Sequence, residues 1–178
     1  MAAWGTGAFE NDDSLDWADM FAQAEESGFN SDDPDGPGAG LDDEEDGDED
    51  LSKEDLLTAP LLTCNDAPAG EPIDAELAAH VVAASEVVAA LFGKPGAELL
   101  AAVDSAGDEE DDDSDALAEI ARWIASTDSP VRSMPRLGRV AHEALDRVLA
   151  SELNDLWAET DHHESWRASI RDLRSRLG

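Results

Sequence analysis

A chain of 178 residues has room for one ordinary domain, and a formal net charge of −33 sets it against nucleic acid and anionic membrane, which it would repel. Its single cysteine, Cys64, excludes an intramolecular disulfide and fits a reducing compartment. Hydrophobic content is 42%, but much of that is alanine, so five Trp and four Phe must supply the bulky packing.

The charge is unevenly placed. Residues 1–115 hold 34 Asp and Glu against two lysines, Lys53 and Lys94, whereas residues 116–178 hold ten acids against nine arginines. An acidic body followed by a balanced, Arg-bearing end attracts basic partners. Met1 to Gly5 has neither the basic nor the apolar region of a signal peptide. The longest apolar stretch, from Val81 to Phe92, is interrupted by Ser85 and Glu86 and is too short to span a bilayer. These features give the expectation of a cytoplasmic protein with no membrane partner.

In chain order, residues 1–11 are a Gly-containing lead with two aromatics, Trp4 and Phe9. Trp4-Gly5-Thr6-Gly7 lacks the spacing and lysine of a phosphate loop, so it reads as a turn folding the aromatics back onto the bundle. Asn11, Asp12 and Asp13 open a helix that carries Trp17, Met20, Phe21 and Ala24 at helical spacing and closes at Gly28. Trp4, Phe9, Asp13 and Trp17 are the expected structural anchors of this end. Residues 30–50 carry almost no apolar side chain and read as a disordered acidic insert.

Ser52 starts a helix with Leu56, Leu57 and Leu61 on one side, which Pro60 should shorten or kink. Ile73 to Phe92 is the clearest helix: Leu77, Val81, Ala84, Val88 and Leu91 make one apolar stripe, and Gly93 and Pro95 stop it. Glu98 to Val103 is a weaker helix, and residues 107–115 form a second acidic loop. Helices follow at Ala116 to Ser126, Pro135 to about Trp157 with a possible break near Ala150, and Glu164 to Leu177. No segment has the period-2 pattern of a strand. The expected fold is therefore all-α: residues 1–178 as a single compact bundle of about six helices, with two acidic, mobile inserts.

The candidate chemistry is sparse. Around Gly36 the calcium-loop register gives Ser31, Asp33, Asp35 and Asp42, a degenerate match with prolines inside it, and around Gly47 the last ligand position is Lys53. His162 and His163 are adjacent and so do not share a helix face as a zinc pair would. Cys64 lies among acids that should blunt its reactivity. His80 and His142 read as packing residues, and Arg167, Arg171 and Arg174 as internal partners of acidic helices. The reading gives no catalytic residue, no metal site and no cofactor.

The string Trp4-Gly5-Thr6-Gly7-Ala8-Phe9-Glu10-Asn11-Asp12-Asp13-Ser14-Leu15-Asp16-Trp17 resembles the opening signature of a bacterial family known as domain of unknown function 4259. The Ala83 to Gly93 helix and the run from Ala144 through Trp157 to Trp166 are similar to that family as well. The resemblance implies a small, mostly helical cytoplasmic protein without an established activity, and brings no catalytic residues. The leading expectation is a non-enzymatic interaction protein that binds a basic protein through Asp42, Asp43, Glu44, Glu45, Asp46, Asp48, Glu49 and Asp50. Its alternatives are a metal-assisted enzyme using clustered carboxylates, or acidity serving only as adaptation to salt.

Overall fold

The computed structural model describes residues 5–24, 51–68, 70–105, 116–126, 134 and 136–178. The described residues form an all-α bundle of eight helices and contain no strand. These are α1 (Asp12–Gln23), α2 (Lys53–Asp66), α3 (Ala75–Leu91), α4 (Ala97–Ser105), α5 (Ala116–Ser126), α6 (Leu137–Val148), α7 (Glu152–Ala158) and α8 (His163–Leu177). The acidic runs at 30–50 and 107–115, Trp4 and Gly28 all lie outside the described residues.

Eight helices replace the expected six or so, for two reasons. The weak 98–103 segment is a full helix, α4, and the long C-terminal helix is two. Ser151 makes the division. Its hydroxyl donates to the Val148 carbonyl at 2.7 Å and accepts from the Asn154 amide at 3.4 Å, ending α6 and capping α7. The Glu152 amide leaves the helical path to donate to the Ile73 carbonyl at 3.0 Å, which ties the break to the start of α3.

The centre of the bundle is α3. It is buried on all sides, not along one stripe: thirteen consecutive or near-consecutive residues from Ala78 to Leu91 are inaccessible, including Ser85 and Glu86. Helices α1, α2, α5, α6, α7 and α8 all pack against it. Alanines at 78, 79, 83, 84, 89 and 90 let that many neighbours approach one axis, since helix separation follows side-chain size at the contact. The alanine richness of the composition is thus a packing device at the core.

Local chemistry sets the ends of α3. The Asp74 carboxylate accepts the Leu77 amide at 2.7 Å. At the other end Gly93 takes a φ of +77°, and the Gly93 and Lys94 amides bond back to Ala90 and Ala89, each at 2.9 Å. This left-handed closure is the one glycine performs without strain. Asp74→Ala should lower stability by about 1 kcal/mol, with Asp74→Asn nearly neutral, as read by urea denaturation. Equal losses for the two substitutions would assign the effect to charge, not to the cap.

Helix α2 corrects the expectation that Pro60 would shorten it. It runs unbroken through Pro60 for 14 residues. A proline at 60 withholds the amide that would bond the Leu56 carbonyl. That carbonyl instead accepts the indole N–H of Trp17 at 3.3 Å. A side chain from α1 thus supplies the missing donor. Lys53, at the start of α2, reaches back to the Ala22 and Ala24 carbonyls at the end of α1, placing a cation where the helix dipole favours one. Helix α1 itself ends at Gln23 and Ala24, short of Gly28.

Candidate functional site

A cleft of about 360 Å³ opens where the lead (residues 5–11) and the first turn of α4 meet α3 and α8. Its floor is apolar, made by Val82, Ile170 and Leu173. Among the described residues, four carboxylates, Glu10, Glu86, Glu98 and Asp172, line it together with one guanidinium, Arg176.

Glu86 sits in the middle of α3 and is only 3% exposed. Arg176, in the last turn of α8, engages it with two parallel bonds: Nη1 to Oε1 at 2.8 Å and Nη2 to Oε2 at 2.6 Å. The same guanidinium donates to the Lys94 carbonyl at 2.9 Å and to Asp172 Oδ2 at 3.0 Å. The Gly96 amide donates to Glu86 Oε1 at 2.5 Å. Hydrogen bonding to Glu86 holds the guanidinium above its usual pKa. This geometry needs glycine at 96, because a Cβ there would stand 2.6 Å from Glu86 Oε1. The reversal at Gly93 brings Gly96 back alongside the helix it has just left.

Glu98 and Glu10 hold the lead. Glu98 accepts the Ala8 amide at 2.8 Å and the Phe9 amide at 3.4 Å, while Glu10 Oε2 accepts the Gly7 amide at 2.6 Å. The Ser169 hydroxyl adds a bond to the Thr6 carbonyl at 2.6 Å. Burial pushes the Glu98 carboxyl above its ordinary value. The Phe9 and Ala8 amides oppose that shift, and the charges of Glu10 and Glu86 reinforce it.

Of the residues singled out in the sequence, Phe9 and Trp17 are buried, at 2% and 1% exposure. The Trp17 ring contact is with Phe21, at 5.2 Å between centroids, and Phe21 in turn meets Trp123 edge-on at 5.1 Å. Asp13 lies in the first turn of α1, but the cap is Asn11, whose Oδ1 accepts the Ser14 amide at 2.9 Å. Asp42 to Asp50 and Trp4 lie outside the described residues.

Cys64 is buried, and its thiol is pushed up by burial, partly opposed by Arg147; surrounding acids are not the cause. His163 bonds Asn154 at 3.1 Å and stacks beside Trp166, while His162 stands at the α8 cap position. Arg174 pairs with Asp146 at 2.8 Å. Among the described residues, no three or more His, Cys, Asp or Glu are grouped to hold a metal ion.

The cleft residues were not singled out in the sequence. One signal was present: Glu86 interrupts the most apolar stretch of the chain, and a carboxylate buried there needs a cation. Its partner stands 90 residues away, among four arginines on one helix, and spacing alone does not select the fourth.

The fold and the cleft define an all-α protein with a buried ion pair beneath a carboxylate-rich opening. The chain belongs to the family described as Domain of unknown function (DUF4259), whose model matches residues 29–169. That span takes in Glu86, Glu98 and Ser169, while Glu10, Arg176 and the N-terminal string quoted above fall outside it. No curated protein and no solved structure matches the chain. Among the described residues, no helix is long and apolar enough to cross a membrane.

Proposed function

We propose that this protein is a non-enzymatic interaction module that binds a basic protein partner, with the acids from Asp42 to Asp50 as the main contact and nucleic acid disfavoured. One observation carries the reading: several arginines that could have met phosphate, Arg122, Arg147, Arg174 and Arg176, are engaged within the fold. Arg176 is held by Glu86 and Asp172, and Arg174 by Asp146. Arg122 pairs with Glu119. Arg147 donates to the Ala67, Pro68 and Glu71 carbonyls. Many acids of the early helices, in contrast, face solvent: Asp12, Asp16, Asp19, Asp55, Asp66, Asp74 and Glu76 are exposed. The outward field is negative, and it steers cationic surfaces toward the molecule.

The test is affinity for a partner captured from native lysate, measured at about 50 mM and about 200 mM salt, across which the screening length falls from above about 10 Å to below about 8 Å. Wild type should weaken several-fold across that range. Replacing Asp42 to Asp50 by Asn and Gln should weaken binding at low salt and flatten the salt dependence. Equal affinity across salt and variant rejects the electrostatic mechanism, and tight DNA binding by the purified protein rejects the whole reading.

A further inference from the structure

A groove of about 450 Å³ lies between α2 and the start of α6 and shares no residue with the carboxylate-lined cleft. Leu62, Met134, Leu137 and Val140 make its lining apolar, and Leu62 and Met134 stand 50% and 45% exposed. The polar groups beside it are already served. The Thr58 hydroxyl donates to the Glu54 carbonyl at 2.8 Å, and the Val140 carbonyl accepts from Asn65 Nδ2 at 2.9 Å. The exception is Arg136. It occupies the N-cap position of α6, makes no ion pair among the described residues, and precedes a first turn without an acidic residue. A cation and the positive end of a helix dipole thus stand together at the rim, and both favour an incoming carboxylate. The wall that α2 gives to this groove is also a ridge. Asp55, Ala59, Leu62 and Asp66 recur at four, three and four residues, on one side of the helix, and all four are exposed. Neither aspartate makes an ion pair among the described residues.

We propose that this face is a self-association surface. In a twofold pair, the α2 ridge of each copy rests on the groove of the other, with Leu62 against the apolar lining and an aspartate of the ridge against Arg136. One face carries both halves of each contact, as an isologous interface requires. Charge selects this occupant over the basic partner proposed above. A basic surface would meet Arg136, and Arg139 one turn along α6, whereas a second copy brings Asp55 and Asp66. Repulsion between two chains of net charge −33 points to the same face. It is weakest where acids are matched by arginines, and α6 holds Arg139 and Arg147 against Glu143 and Asp146.

The test is sedimentation equilibrium of the full chain in about 0.15 M salt, where charge repulsion is screened beyond about 8 Å. Wild type should show a reversible monomer–dimer equilibrium populated at about 100 µM chain. Leu62→Gln should weaken it at least about tenfold, because the dimer covers that side chain twice. Leu100→Gln, on α4 and 51% exposed, should leave it unchanged. Arg136→Glu alone, and Asp55→Lys with Asp66→Lys alone, should each weaken association by about threefold or more. The three substitutions together should restore it, which a general change in net charge would not do. Circular dichroism checks that every variant keeps its helices. A chain that stays monomeric up to about 500 µM overturns the proposal and leaves the groove to a different protein. So does a dimer that Leu62→Gln leaves intact, one that Leu100→Gln weakens equally, or one that the combined charge reversal fails to restore.

Discussion

Arg176→Ala should be among the most destabilising single changes in the described fold, costing about 3–5 kcal/mol in urea denaturation, the range for leaving a buried charge without its partner. Glu86 is 3% exposed, and with Arg176 gone it retains one charge-assisted bond, from the Gly96 amide. The partner's worth lies in geometry as much as charge. One guanidinium satisfies both Glu86 oxygens, the Lys94 carbonyl and Asp172, and a lysine presents a point charge that cannot span them. Arg176→Lys should therefore recover only part of the loss. The decisive comparison is the double variant Glu86→Gln with Arg176→Ala. It removes the buried charge along with its partner, so it should be more stable than Arg176→Ala alone. A double variant as unstable as the sum of the two singles would show that the residues act separately, and an Arg176→Ala loss under about 1 kcal/mol would mean the pair is effectively solvated.

This pair also marks the limit of what could be read from the chain. Helix periodicity located nearly every element, because burying one face imposes a local pattern that the sequence records within a few residues. The stripe on α3 was visible, yet its burial on all sides was not. Alanine is small enough to face either core or solvent, and only the arrival of six neighbouring helices decides. Gly93 read as punctuation, and Gly96 drew no reading at all. Gly93 is that, whereas Gly96 is the close approach that lets Glu86 reach a backbone amide. The cleft was illegible for a related reason. Glu10, Glu86, Glu98 and Arg176 come from four separate stretches, and each of them except Glu86 looks, taken alone, like an ordinary surface charge. What joins them is topology: the lead crosses α4 and α8 beside the end of α3. The acidic run chosen from the sequence, Asp42 to Asp50, stood out by local density, a signal of a different kind that says nothing about convergence in space.

The second large effect concerns Trp17, where local and tertiary chemistry meet. Trp17→Ala should cost about 3–5 kcal/mol, the usual range for truncating a buried aromatic. In a domain of this size that corresponds to a melting temperature lower by roughly 6–20 °C. Trp17 is 1% exposed and packs on Phe21, so the vacated space is closed off on all sides. Trp17→Phe separates packing from hydrogen bonding. It keeps most of the ring and loses the N–H that serves the Leu56 carbonyl, a loss of about 1–3 kcal/mol if that carbonyl is left without a donor. Pro60 makes this specific. In a Pro60→Ala background the new amide at 60 can complete the ordinary helical bond to Leu56, so the indole is no longer needed there. Trp17→Phe should then cost clearly less than it does with proline in place. The measurement is a double-mutant cycle by denaturation, with circular dichroism checking that α2 stays helical throughout. If Trp17→Phe costs the same in both backgrounds, the indole bond contributes nothing particular to α2, and the unbroken passage through Pro60 must rest on packing of Leu57, Pro60 and Leu61 alone.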